Sequence, residues 1–248
     1  MTLKEFFGKL RFYVSVPKCV CCDEHLDYSE KALCSSCMVK YNEHKQRNCS
    51  KCSRVLSRCK CSNQHLEANG IKTAIKLFRY SNTDQAKPSN ALIYSLKKDN
   101  REDVLSFLTD ELSEAIISNI DLSHGDYIIT NVPRRRNAIV KFGYDHAKDL
   151  AISVARKLGI SYADILISHS KKSQKSIMRE ERIHNADFDY KKNREMSLKG
   201  KTVILIDDIV TTGASMSAGA MLLKGLGCKR VVSASLAIAY KDSYTPFI

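Results

Sequence analysis

The sequence predicts an α/β fold, a parallel sheet flanked by helices, with a small cysteine-rich module ahead of it. Three observations predict this. From about Ile71 onward, short apolar runs alternate with stretches whose apolar residues recur at helical spacing. Nine of the ten cysteines fall between Cys19 and Cys61. And "TVILIDDIVTTGAS" (202–215) drives four apolar residues into two carboxylates and then into a loop of small residues. The composition shift divides the chain into residues 1–70 and residues 71–248.

The elements follow in order. "YIITNVP" (127–133) reads as a strand. "HAKDLAISVARKLG" (146–159) carries apolar residues at helical spacing and stops on a glycine, so it reads as a helix. "VILI" (203–206) is a buried strand, "SMSAGAMLLKGLG" (215–227) a helix and "RVVSASLAIA" (230–239) a last strand. Strand–helix–strand order implies parallel pairing through right-handed crossovers.

The cysteines come in pairs: Cys19 and Cys22, Cys34 and Cys37, Cys49 and Cys52, then the shorter Cys59-x-Cys61. A Cys-x-x-Cys turn aims two thiolates at one ion about 2.3 Å away, and two such turns complete a tetrahedral site. Four pairs therefore suit two structural Zn²⁺ ions, where disulfides are the expectation for a secreted chain. Sequential pairing is the simplest arrangement. A crossed one stays open, as does Cys21 in place of Cys22, and His65 in place of a ligand at the second ion. The module has few apolar residues, so metal is expected to supply its folding energy.

The run after "VILI" asks for a phosphorylated sugar. Ligands of parallel sheets bind beyond the carboxyl ends of strands, where Asp207 and Asp208 stand. Thr211, Thr212, Gly213, Ala214 and Ser215 then turn into a helix whose N-terminus favours anions. Carboxylates accept hydrogen bonds from vicinal hydroxyls, so the two acids suit the ribose and the loop suits its 5-phosphate. An acidic helix cap is the plainer reading of Asp-Asp alone.

The whole run resembles the phosphoribosyl-pyrophosphate (PRPP) loop of type I phosphoribosyltransferases. The resemblance narrows along the chain to ComF-type competence proteins. "VPRRRNAIVKFGYDHAKDLA" (132–151) is similar to that family's arginine-rich segment, with Gly143-Tyr144-Asp145-His146 as its glycine–aromatic run. "SQKSIMREERIHNADFDY" (173–190) is similar to a stretch with a Gln, spaced arginines, an Asn and a Phe, here Gln174, Arg179, Arg182, Asn185 and Phe188. "LIYSLKKDNRED" (92–103) looks like the family's Leu-Lys segment, placed where type I enzymes carry the pyrophosphate loop. Two departures stand out: Phe142 occupies a position near which the family carries a base, and the last cysteine pair is one residue short.

The resemblance implies a type I phosphoribosyltransferase-like domain behind a double zinc ribbon, PRPP with Mg²⁺ as ligand, and a role in taking up and processing single-stranded transforming DNA beside a ComFA-type helicase. Lys97 and Lys98 would then meet the pyrophosphate; a solvated helix end is the alternative. Arg134, Arg135, Arg136 and Lys141 follow a strand end and would contact pyrophosphate or a nucleic-acid backbone. Arg179, Arg182 and Asn185 would share a helix face. His146 lies near a helix start, where capping or packing is the ordinary role.

The net charge of +13 fits a polyanionic partner. Two Zn–thiolate centres would lower it to about +9. No apolar run approaches the roughly 18 residues that span a bilayer. The first residues carry charges where a signal peptide needs an apolar core. A cytoplasmic chain without membrane insertion is expected. No poised nucleophile or general base is visible, and phosphoribosyl transfer needs none, because positioning and electrostatics suffice. A transferase of nucleotide metabolism and a PRPP-sensing regulator are the competing expectations.

Overall fold

A computed structural model describes residues 16–168, 188–191 and 197–239. The stretch with Gln174, Arg179, Arg182 and Asn185 lies outside the described residues. Five parallel strands form the main sheet in the order β1 (Ala74–Arg79), β7 (Arg230–Ile238), β6 (Thr202–Val210), β2 (Tyr127–Asn131) and β3 (Ser161–Tyr162). β4 (Leu166–Ser168) and β5 (Phe188–Tyr190) pair antiparallel beside it. The helices are α1 (Ser35–Lys45), α2 (Gln64–Ala68), α3 (Lys87–Lys98), α4 (Glu102–Asn119), α5 (Arg136–Phe142), α6 (His146–Leu158) and α7 (Ala214–Gly225).

The sheet is covered on both faces, which is why β6 and β7 read as continuous apolar runs. Side chains alternate across β6. Ile204 and Ile206 enter a core shared with α3, α4 and α6, whereas Val203 and Leu205 enter a second core with α7. The chain leaves β2 towards β3 on one side and returns to β6 on the other. A crevice opens at such a reversal, beyond the carboxyl ends of the strands.

α6 ends at Leu158, with Gly159 left-handed at φ 67°, close to the expected stop. β6 runs further than "VILI". Asp207 pairs with Ser235 and Ile209 with Ala237, so the two acids lie within the strand rather than after it. Lys97 and Lys98 stand in the last turn of α3, on a helix and not a loop.

The cysteine module shares the main core. Cys19, Leu26, Leu33, Cys34, Cys37 and Tyr41 are buried with Phe78, Leu92 and Leu108. The Tyr41 hydroxyl donates to Glu111 on α4 at 2.6 Å, and Arg101 donates to the Lys18 carbonyl at 3.0 Å. Apolar burial thus adds to whatever metal supplies.

His44 ties α1 to the rest. It is fully buried, its Nδ1 lies 2.8 Å from Ser89 Oγ on α3, and its ring packs on Phe78. Burial, helped by Arg47, pushes its pKa down to about 4. Between an unfolded value near 6.5 and that value, the unfolded chain binds the extra proton. The contribution is complete above about pH 6.5 and is lost as the pH falls towards 4, amounting to about 3 kcal/mol. We expect His44→Gln to flatten this part of the stability profile, read as urea midpoints from pH 7.5 to 4; an equally steep fall in the variant would refute the assignment.

Candidate functional site

The site grows from the end of β6. Asp208 is on the face shared with α3 and α6 and is 7% exposed. Its Oδ2 lies 2.8 Å from Lys97 Nζ and 2.6 Å from His146 Nε2. Burial opposes its charge, but the Lys97 ammonium and the His146 ring outweigh burial and hold its carboxyl well below the usual range. Asp207, on the opposite face and half-buried, is pushed up by burial and by the neighbouring charge of Asp208. Asp207 Oδ1 accepts from the Asp208 backbone N–H at 2.9 Å. The environment thus pushes the two carboxyls in opposite directions, Asp208 down and Asp207 up.

The loop after β6 is built around Gly213. Its φ is +88°, a left-handed conformation that L side chains rarely adopt. A Cβ there would meet Leu66 Cδ2 at 2.9 Å. Thr212 Oγ1 accepts from the Ala214 N–H at 3.3 Å, and the Gly213 carbonyl accepts from Ser217, which starts α7. The helix N-terminus therefore opens onto the end of β6.

A cavity of about 820 Å³ occupies the crevice. Lys97, Lys98, Arg134, Arg135 and Lys141 line it together with Asp207, Asp208 and the whole of Thr211 to Ser215. Arg136, the exposed first residue of α5, is not among the lining residues. Lys98 lies over the Tyr94 ring, 4.3 Å from its centroid. The Arg134 guanidinium rests 4.7 Å over Phe142 and 5.8 Å from Tyr144, and donates to the Tyr144 carbonyl at 3.0 Å. Tyr144 Oη in turn donates to the Leu96 carbonyl at 3.1 Å, fastening the arginine segment to α3. Phe142, the apparent departure from a basic residue, thus provides a face that orients Arg134.

The cysteines gather as two groups. Cys19, Cys22, Cys34 and Cys37 form one and Cys49, Cys52, Cys59 and Cys61 the other, with all ligand atoms of a group within 4.8 Å of one another. Sulfurs bound at about 2.3 Å to a tetrahedral ion lie about 3.8 Å apart. Cys22 and Cys34 are 3.5 Å apart and Cys52 and Cys59 3.6 Å. Both groups thus have the donor set and spacing for a metal ion. Pairing is sequential; Cys21 and His65 fall outside the groups.

Three residues carry more than their sequence context suggested. His146 pairs with Asp208 instead of simply capping its helix; that cap is Asp145. Lys76 is a fully buried cation in β1, and a lysine inside "TAIKLF" was the available signal. Asn63 caps α2 and reaches Thr212, a contact across 149 residues that no local pattern announces.

Residues 147–247 match the phosphoribosyl transferase domain family. Over 212 residues the chain is 25% identical to competence protein ComFC of Streptococcus pneumoniae (strain ATCC BAA-255 / R6), covering 84% of this chain and 88% of that protein. The similarity to ComFC thus runs through most of the chain. An 85-residue stretch is 38% identical to the ribose-phosphate pyrophosphokinase of Thermococcus kodakarensis (strain ATCC BAA-918 / JCM 12380 / KOD1), spanning 34% of this chain and 25% of that one. A solved hypoxanthine-guanine phosphoribosyltransferase of Bacillus anthracis superposes with a TM-score of 0.40 at 14% identity, over 58% of this chain and 74% of that one. The chain thus joins a phosphoribosyltransferase-like domain to two four-cysteine groups. No helix among its described residues is long and apolar enough to cross a membrane.

Gly213→Ala adds both a strained backbone and a clash with Leu66. We expect a loss of about 1–3 kcal/mol in stability. Leu66→Ala should restore only the steric share, and a double-mutant cycle by urea unfolding measures it. Full additivity of the two changes would show that the clash is not felt.

Proposed function

We propose that the cavity binds PRPP and that the protein uses this site in handling single-stranded transforming DNA. One observation carries the ligand half: the acidic pair, the Thr211–Ser215 loop and five basic side chains meet in one crevice at the sheet reversal. The 5-phosphate sits on the loop and the α7 N-terminus. Asp207 and Asp208 accept from the ribose hydroxyls. Lys97, Lys98, Arg134, Arg135 and Lys141 neutralise the pyrophosphate. Lys97 leaves Asp208 for the ligand, and His146 keeps that carboxylate paired.

Mg²⁺ arrives with the ligand. Among the described residues, no group of three or more metal-ligating side chains gathers in the crevice. That suits an ion held through substrate phosphates and retained waters. Zn²⁺ is the metal we assign to the two cysteine groups, because closed thiolate₄ sites of this spacing suit it. Zinc there contributes folding energy and takes no part in chemistry.

The DNA half is supported by the similarity to ComFC and by the net charge of +13. A ComFA-type helicase is the protein partner this reading calls for. A second reading, active phosphoribosyl transfer, is favoured by Phe142 and Phe188. Both line the same cavity, Phe142 beneath Arg134, and give it an aromatic lining that suits a base as acceptor.

Three outcomes test these assignments. The Asp207→Ala/Asp208→Ala protein should lose PRPP affinity by about a hundredfold or more in calorimetry with Mg²⁺, since each hydroxyl–carboxylate bond contributes about 1.5–3 kcal/mol. Its zinc content should stay at two ions per chain; unchanged PRPP affinity would remove the site assignment. Binding of an oligothymidine should weaken with salt. Arg135→Ala/Arg136→Ala should lower the slope of log K against log salt by about 0.7 for each phosphate no longer neutralised. A salt-independent or absent interaction would remove the DNA half. Pyrophosphate release with an added base, above that of the double-aspartate variant, would decide for transfer.

A further inference from the structure

The second cysteine group is joined to the Gly213 loop by a short, well-anchored strap. Lys76 is fully buried in β1. Its ammonium donates to Cys59 Sγ at 3.1 Å and to the carbonyls of Cys59, Cys61 and Ala74 at 3.2, 2.7 and 3.1 Å. A buried ammonium needs a compensating charge. A four-thiolate metal centre carries about −2 and supplies it. Residues 59–61 are therefore pinned from two sides, by the group itself and by β1.

From there the chain runs directly to the loop. Ser62 is buried, and its carbonyl accepts from Lys51 at 3.0 Å. Asn63 Oδ1 accepts from the Leu66 N–H at 2.8 Å and caps α2. Asn63 Nδ2 donates to the Thr212 carbonyl at 3.5 Å. Leu66 is fully buried and fills the space where Gly213 lacks a side chain. Lys224 on α7 donates to the Asn69 carbonyl at 2.9 Å, holding α2 against the loop's helix. The first cysteine group belongs instead to the core on the other face of the sheet.

We infer that the second cysteine group controls the phosphate loop. Metal held by Cys49, Cys52, Cys59 and Cys61 fixes residues 61–66, and Asn63 and Leu66 are the positioning residues that keep Thr211–Ser215 in its ligand-ready form. The ligand side rests on reading the cavity as a PRPP site; the loop side does not. Coupling between two sites is reciprocal. PRPP should therefore tighten binding of the second metal by the factor by which that metal tightens PRPP binding.

Amide hydrogen exchange over residues 211–217 of the full-length, metal-loaded protein tests this. Cys61→Ser, Asn63→Ala and Leu66→Ala should each exchange at least tenfold faster there than the parent. Asn63→Ala and Leu66→Ala should do so with two metals still bound, which keeps the test valid if Cys61→Ser fails to fold. Cys22→Ser, at the first group, should leave the segment unchanged. Parent-like exchange in Asn63→Ala and Leu66→Ala, or equal acceleration in Cys22→Ser, would overturn the inference. With PRPP and Mg²⁺ as probe, the two α2 variants should bind at least tenfold more weakly, and at equilibrium a chelator should withdraw less of one metal from the parent than without PRPP. PRPP failing to bind the parent would sink the proposed function and leave the exchange result standing. PRPP binding unchanged by a loosened loop would overturn the ligand side alone.

Discussion

The architecture of the crevice depends on keeping one carboxylate charged inside a parallel sheet. Asp208 sits at a strand end with almost no water, so its charge must be met by the protein. Lys97 comes from the end of α3 and His146 from the start of α6, and both converge on a single oxygen. Two elements far apart in the chain are thereby fixed against β6. Burial and the adjacent Asp208 charge both push the Asp207 carboxyl up. Removing either partner would leave a buried charge partly uncompensated, a costlier change than losing a surface ion pair.

Much of this was legible in the chain because the relevant signals are local. A strand covered on both faces shows as "VILI", and Thr-Thr-Gly marks where it ends. Thiolate pairs show in their spacing, and the structure gathers them sequentially. What stayed hidden is tertiary. His146 and Asp208 are 62 residues apart, and either reads as an ordinary cap or packing residue alone. The continuation of β6 to Val210 is enforced by β7, whose pairing overrides the turn that two acids suggest. Lys97 and Lys98 ride on α3 because Leu92, Ile93 and Leu96 are buried beneath it, a stripe that carries the helix to its last turn.

The cysteine module and the sheet are one packed body at the first group and one hydrogen-bonded body at the second. At the first, Tyr41 and Cys37 lie among the side chains that cover β1. At the second, Lys76 reaches out of β1 to Cys59 and to backbone carbonyls. A module with few apolar residues thus gains stability from its neighbour's core at one end and from polar satisfaction at the other. Lys76 gives the buried Cys59 carbonyl and the partly buried Cys61 carbonyl a donor.

The two cysteine groups open with the same backbone device. Cys19 and Cys49 each accept a bond at their carbonyl from the residue four positions on, and that residue, Asp23 or Ser53, is left-handed. A bridge closes each, Lys18 to His25 and Asn48 to Val55. Every counterpart lies 30 residues further along. The second halves differ: Cys34 and Cys37 are carried at the start of α1, whereas Cys59 and Cys61 are on extended chain. One motif, written twice, therefore ends once on a helix and once on a strap tied to β1 and to the Gly213 loop. Duplication with divergent endings gives a single polypeptide two different anchorages made from the same parts.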